Sequence, residues 1–276
     1  MTNIFNYIDR SSPIHRLTGA TKLVCLLLWS FAAMSSFDTR LLAGLAVLAL
    51  SLFRVSRIRL KDVRFMLWFT FAFCVMNNVL IFLFSPQHGV ELYGARHVLF
   101  EIAGNYVVTK EQLFYHLNVF LKYLSTIPIV LLFVSTTDPS EFAASLNRIG
   151  VSYKIAYAVA LALRYIPDVQ REYHDISLSL QARGVELSKK ERLSKRLKSA
   201  AGTLTPLILS SMDRIEIVSN AMELRGFGKN KKRTWYRARP FRTADWVSMA
   251  ACAALLLLSV ALTLFVNSGR YYNPFV

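Results

Sequence analysis

A chain of 276 residues that is 54% hydrophobic and only 18% charged is too apolar for an ordinary soluble domain. Its net charge of +16 is unevenly spread: most of the 33 basic residues fall within 136–243, and long apolar runs flank that segment on both sides. The layout argues against a nucleic-acid-binding domain and describes a membrane protein with one large basic segment in water, its charge explained by anionic headgroups and the positive-inside bias.

The N-terminal stretch MTNIFNYIDRSSPIHRLTGATK is polar and mixed, without the pattern of a cleaved signal, so it is expected to stay in the mature chain. A membrane-crossing helix needs about 20 mostly apolar residues. Residues 21–37 are adequate. Residues 41–53 are short and span only if their polar flanks help or the bundle shelters their ends; Asp38-Thr39-Arg40 permits only a tight hairpin between the two. Residues 63–84, 113–134 and 246–266 meet the length in full. The expectation is an all-α polytopic bundle of five spans: four within 1–135, then the basic region 136–243, then a last span and external tail in 244–276.

Loop charge sets the orientation. Loop 54–64 carries Arg54, Arg57, Arg59, Lys61 and Arg64 against Asp62, which places it in the cytoplasm. Loop 85–112 has Arg96 and Lys110 against Glu91, Glu101 and Glu111, which places it outside. The N-terminus and 136–243 are then cytoplasmic, and the C-terminal tail is external. Within 85–112, VLFEIAGNYVVTK reads as a small hairpin on the outer face or as a lid. Cys25, Cys74 and Cys252 all fall inside apolar runs without metal or redox spacing, and read as small buried hydrophobes.

The basic segment opens with Asp138, Pro139 and Glu141, a capping acid, a first-turn proline and an acid near the positive dipole end; the helix over 139–148 stops at Gly150. A second helix is predicted over 153–183. Ile155, Val159, Ala162, Ile166, Val169, Tyr173, Ile176 and Leu180 alternate four and three apart and draw one apolar stripe. Arg164, Asp168, Arg171, Glu172, Asp175 and Gln181 lie off it, and Pro167 is expected to kink or split the helix. Its first part, KIAYAVALALRYI, suits an interfacial or buried helix better than a crossing. Residues 186–200 are strongly basic and read either as a contact with anionic lipid or as a solvated linker helix. A third helix is predicted over 205–225 with Pro206 in its first turn. Leu204, Ile208, Met212, Ile215 and Met222 form its stripe, while Asp213, Arg214, Glu216, Asn220 and Glu223 face away. Two long amphipathic helices that cannot span will pack on each other or on the membrane surface.

Both helices end alike: SLQARGVE at 179–186 and AMELRGFG at 221–228. Gly184 and Gly226 supply the left-handed residue of a helix terminus, and Arg183 and Arg225 sit against the negative dipole end. Capping alone explains one such ending, but a glycine cap does not require arginine before it. An arginine at a helix tip is also a planar fork that pairs two-pronged with a partner's carboxylate. Catalytic signatures are missing. Gly226-Phe227-Gly228-Lys229 does not fit a phosphate-binding loop. His15, His88, His97, His116 and His174 lack ligand spacing, and no G-x-S-x-G is present. No metal or cofactor is expected. The spans carry almost no ionisable group except Lys122, which disfavours ion-driven transport through this chain.

The block TTDPSEFAASLNRIGVSYKIAYAVALALRYIPDVQREYHDISLSLQARG with the AMELRGFG helix resembles the transmembrane T components of energy-coupling factor (ECF) transporters, over roughly 15–266. Those proteins have a membrane bundle, cytoplasmic coupling helices and two Ala-Arg-Gly signatures. Ala182-Arg183-Gly184 matches the first in full; Leu224-Arg225-Gly226 departs at Leu224 but keeps the Arg-Gly tip. The resemblance implies a scaffold without catalysis of its own in the inner membrane of a prokaryote. It would hold two ATP-binding cassette (ABC) ATPases at Arg183 and Arg225, and a separate membrane subunit that captures a vitamin or transition-metal ion. Three other readings stay open on the residues alone. The first is a permease of a conventional ABC importer, suggested by Glu141-Phe142-Ala143-Ala144 and Gly150, although the glycine falls late. The second is a polytopic lipid enzyme, which requires a polar cluster inside the bundle that the sequence does not offer. The third is a basic membrane-surface adaptor.

Overall fold

The computed structural model describes residues 12–103, 106–184, 193–230, 234–235, 238–267 and 272–275, and among these the side chains of 62, 102–103 and 193–200 are left out of account. In chain order the described elements are α1 (Gly19–Ser35), α2 (Thr39–Val55), α3 (Leu60–Phe84), α4 (His88–Tyr93), β1 (Val98–Ala103), β2 (Tyr106–Thr109), α5 (Lys110–Thr136), α6 (Pro139–Arg148), α7 (Tyr153–Ala182), α8 (Leu193–Leu224) and α9 (Thr243–Ala261), which a π-helical turn, Leu262–Val266, prolongs. They form two compact units: Pro139–Ala238 is one, and the described residues of Ile4–Asp138 and Arg239–Val276 are the other.

The larger unit is a helix bundle around α5. α2 runs parallel to α5: Thr39 donates its hydroxyl to Asn118 at 2.7 Å near one end, and Phe53 packs with Leu131 near the other. α1 and α3 run antiparallel to α5. Trp29 donates its indole N–H to the Ser125 carbonyl at 3.0 Å, and His116 meets Asn78 at 2.9 Å. α9 lies parallel to α1, joined by Thr18–Asp245 and Ala32–Ser259 hydrogen bonds. Trp29, Ala33, Leu45, Ala49 and Ile129 form the central cluster, and small residues (Ala32, Ala33, Ala46, Ala49) let the backbones approach. One end of the bundle therefore gathers 12–18, 56–60, 136–138 and 242–245. The other gathers 36–38, 85–109 and 267–275.

Caps set the boundaries. Asp38 accepts the Arg40 N–H at 2.9 Å, so α2 takes in residues of the expected hairpin and runs over 17 residues, longer than 41–53. Val63–Phe84, Lys110–Thr136 and Thr243–Val266 are long and apolar enough to cross a membrane; α1, also 17 residues, is apolar but shorter. The segment between α3 and α5 holds α4 and an antiparallel β1–β2 pair, so the hairpin expected within 98–110 is present.

In the smaller unit α7 is one continuous helix through Pro167, so the proline does not split it. α8 corrects the expected start at 205: it begins at Leu193, and Pro206 lies inside it. Lys, Arg and Leu before the proline are good helix formers. The residue whose carbonyl the proline ring meets is Gly202, which has no side chain to add to the crowding. α7 and α8 pack antiparallel. Glu172 accepts hydrogen bonds from Ser210 and from Arg214, the latter at 2.8 Å, and Phe227 beyond α8 stacks on Tyr153 and Tyr157 at the start of α7.

Candidate docking site

The two Arg-Gly tips lie at opposite ends of the α7/α8 pair. α7 ends with Arg183 N–H donating to Ser179 and Leu180 carbonyls at 3.2 and 3.1 Å, and Gly184 N–H to Gln181 at 3.0 Å. Gly184 has φ +84°, in the left-handed region. α8 ends with Gly226 N–H donating to Glu223 at 2.8 Å and Phe227 N–H to Met222 at 2.9 Å, and Gly226 has φ +64°. That paired pattern is the Schellman ending, which glycine adopts without a Cβ penalty. Val185, the apolar residue after Gly184, lies outside the described residues.

The chain contains its own control. α6 ends in the same way, with Gly150 at φ +109° and Val151 N–H bonded to the Leu146 carbonyl at 3.0 Å, yet Ile149 precedes that glycine. Helix termination here does not need arginine. Arg183 and Arg225 are exposed, as is Ala182, and Leu224 is 89% exposed. From the Glu172 crossing, Arg183 lies about 11 residues along α7 and Arg225 about 13 along α8 in the opposite direction. At about 1.5 Å per residue the tips are roughly 35 Å apart.

The helix faces divide in a way that periodicity alone does not resolve. On α7, Val159, Ile166, Val169, Ile176 and Leu180 are half-buried, while Ile155 and Tyr173 are exposed. On α8 the line turned inward is Thr203, Leu207, Ser211, Arg214 and Val218, with Met222 half-buried. Ile208, Met212 and Ile215 are exposed, and so is Leu204. Arg214 therefore does not face away as expected. It turns to α7, where Glu172 accepts its hydrogen bond and Tyr165 lies under its guanidinium at 5.8 Å. Leu161, Val169, Ile215 and Met222 border an open apolar groove beside this pair.

Trp235, which sequence reading passed over, donates its indole N–H to Asn147 at 3.0 Å, and Asn147 donates to the Val151 carbonyl at 2.9 Å. With the Phe227–Tyr157 stack, this ties the ends of α6 and α8 to the start of α7. Glu141, Ala143 and Ala144 are buried in α6 and not presented on a loop.

The bundle corrects two further expectations. Lys122 is not the only cation within the spans. Lys22, in the first turn of α1, donates to the Thr136 carbonyl at the end of α5 at 2.8 Å, and Lys122 donates to the Met34 carbonyl at the end of α1 at 2.9 Å. Each lysine thus serves the negative end of the other helix. A polar cluster is also present in the bundle: His116 bonds Asn78 at 2.9 Å and Gln112 at 3.2 Å, and Gln112 accepts the Gly89 N–H at 2.7 Å. Both ring nitrogens of His116 are engaged in the packing of α3, α4 and α5. The signal that missed it is spacing, since these residues meet only in three dimensions. Among the described residues no group of three or more His, Cys, Asp or Glu is placed to hold a metal ion.

Residues 10–236 match the family model described as cobalt transport protein, CbiQ. The chain is also similar to curated proteins named energy-coupling factor transporter transmembrane protein EcfT. One from Staphylococcus aureus (strain 04-02981) is 28% identical, covering 95% of this chain and 96% of the relative. One from Exiguobacterium sibiricum is 28% identical over 94% and 95%, and one from Bacillus subtilis (strain 168) is 25% identical over 92% and 96%.

Proposed function

The chain belongs to the CbiQ cobalt transport protein family, and on that footing we propose that it is the non-catalytic membrane coupling subunit of an ATP-driven ECF importer. Two ABC ATPase subunits dock on it, one at Ala182-Arg183-Gly184 and one at Leu224-Arg225-Gly226. A separate substrate-binding membrane subunit, specific for a vitamin or a metal ion, packs against the exposed apolar stripe of Ile208, Met212 and Ile215 with Ile155 and Tyr173 on α7. ATP hydrolysis takes place on the ATPases, and their closure moves α7 and α8.

One observation carries the reading. Three helices of the smaller unit end on a left-handed glycine, and the two long ones, α7 and α8, place an exposed arginine before it. A guanidinium fork at each end of an antiparallel pair, roughly 35 Å apart by helix rise, suits two similar carboxylate-bearing sockets on two copies or near-copies of one partner. Charge supports a cytoplasmic placement of one bundle end: Arg54, Arg57, Arg59, Lys61 and Arg64 cluster there with residues 12–18 and 136–138. Five crossings then place the N-terminus inside and the C-terminus outside.

The test is charge reversal at the tips. Arg183→Glu and Arg225→Glu each lower ATPase recovery with the affinity-tagged chain at least tenfold at the affected site, and the double variant loses both ATPases while the bundle stays folded. Wild-type ATPase recovery by the double variant overturns the two-socket reading.

A further inference from the structure

α1 and α9 are separated in sequence by the whole smaller unit, yet they form a parallel seam in a single register. The Thr18 N–H donates to Asp245 at 2.8 Å, and Ser259 donates its hydroxyl to the Ala32 carbonyl at 3.0 Å. Both pairs are offset by 227 positions, and they stand two heptads apart. Midway between them, one heptad from each, the same offset pairs Cys25 with Cys252. The flanking bonds run from a short side chain to the opposing backbone, so the two helices are close along this stretch. Both thiols line one apolar cavity with Lys22, Leu26, Trp29 and Ser248, both are half-buried and free, and they are close enough to interact directly.

We propose that Cys25 and Cys252 form an oxidisable dithiol that closes to a disulfide across the α1/α9 seam. The partner oxidant is a lipid-soluble two-electron acceptor of the quinone class, because the cavity walls are apolar and the site lies within the bundle. Two S–H bonds break and one S–S bond forms. The two electrons and two protons reduce the quinone to its quinol. Facing positions of a close parallel pair bring the Cα atoms toward the roughly 4.4–6.8 Å range that a disulfide needs. The bond ties the first span to the last and closes a loop that contains both coupling helices, so it constrains the unfolded chain strongly. Cys74 belongs to a different wall: it is buried on α3, with Asn78 donating to its carbonyl and lying 3.6 Å from its sulfur.

The experiment uses the full chain in native membranes, with a protease site inserted within 186–191. Membranes are treated with a fully substituted benzoquinone, which oxidises thiols without being alkylated by them, and in parallel with diamide. They are then cleaved, denatured and labelled with a maleimide mass tag. The expected result is loss of two of the three labels, with the two fragments running as one band until reductant separates them. Cys25→Ser and Cys252→Ser each abolish the linkage, and Cys74→Ser keeps it. Fragments that separate after oxidation with all three thiols still labelled overturn the proposal. So does a linkage that survives in Cys25→Ser, or one that joins two chains.

Discussion

At the scale of single residues, a glycine closes each coupling helix and leaves the side chain of the arginine before it exposed at the tip. Gly184 and Gly226 sit at positive φ, where an L side chain is strained. Gly226→Ala is expected to destabilise the smaller unit by about 1 kcal/mol and to displace Arg225. Its check is a matched pair of measurements, thermal unfolding and ATPase recovery, and recovery falls by more than the stability change explains. Asp245 is the residue that sequence reading undervalued. It accepts the N–H groups of Thr18 and Arg242, each at 2.8 Å, and so serves the start of α1 and of α9 together. Run length passes over it, because its second partner lies 227 positions away. Asp245→Ala leaves the buried Thr18 N–H and the partly buried Arg242 N–H without their acceptor and is expected to cost about 1–3 kcal/mol. Denaturation in detergent reads that loss, and an unchanged midpoint contradicts the shared-cap account.

At the scale of elements, breakers in the sequence marked helix ends correctly, Gly150 for α6 and Gly184 and Gly226 for α7 and α8, whereas Asp38, taken as part of a hairpin, is the N-cap of α2. The start of α8 did not follow from them. Pro206 is as compatible with a helix interior that has glycine four residues earlier as with a first turn, and local sequence does not separate the two cases. The stripes were legible as apolar faces but not as contacts. On α8 a neighbouring line, Thr203, Leu207, Arg214 and Val218, takes the inward side and leaves Ile208, Met212 and Ile215 exposed. Glu172 and Arg214 each looked solvated when read on its own helix, and pair only because the helices cross. A double-mutant cycle with Glu172→Gln and Arg214→Met is expected to return a coupling of about 0.5–1 kcal/mol, since both groups are partly exposed. Replacing the exposed stripe with Ile208→Asp and Ile215→Asp is expected to leave ATPase recovery unchanged and to remove the small hydrophobic subunit from the purified assembly. Loss of the ATPases instead would place the stripe inside the ATPase contact.

At the scale of the whole molecule, hydrophobic run lengths and loop charge outlined a helical membrane bundle carrying a basic insertion, and the family to which the chain belongs agrees with that outline. Run length was less informative about α1 and α2, at 17 residues each, because a short helix can be sheltered by neighbours that the sequence does not display. Reporter fusions at the two termini test the topology, and the expected result is opposite sides of the membrane. The central claim is that one chain holds two ATPases. The most direct measurement is native mass spectrometry of the assembly purified from membranes through a tag on this chain. The account predicts two ATP-binding subunits and one small hydrophobic protein per chain. A single ATPase per chain, or a chain that purifies without any, would contradict it and return Arg183 and Arg225 to ordinary helix ends.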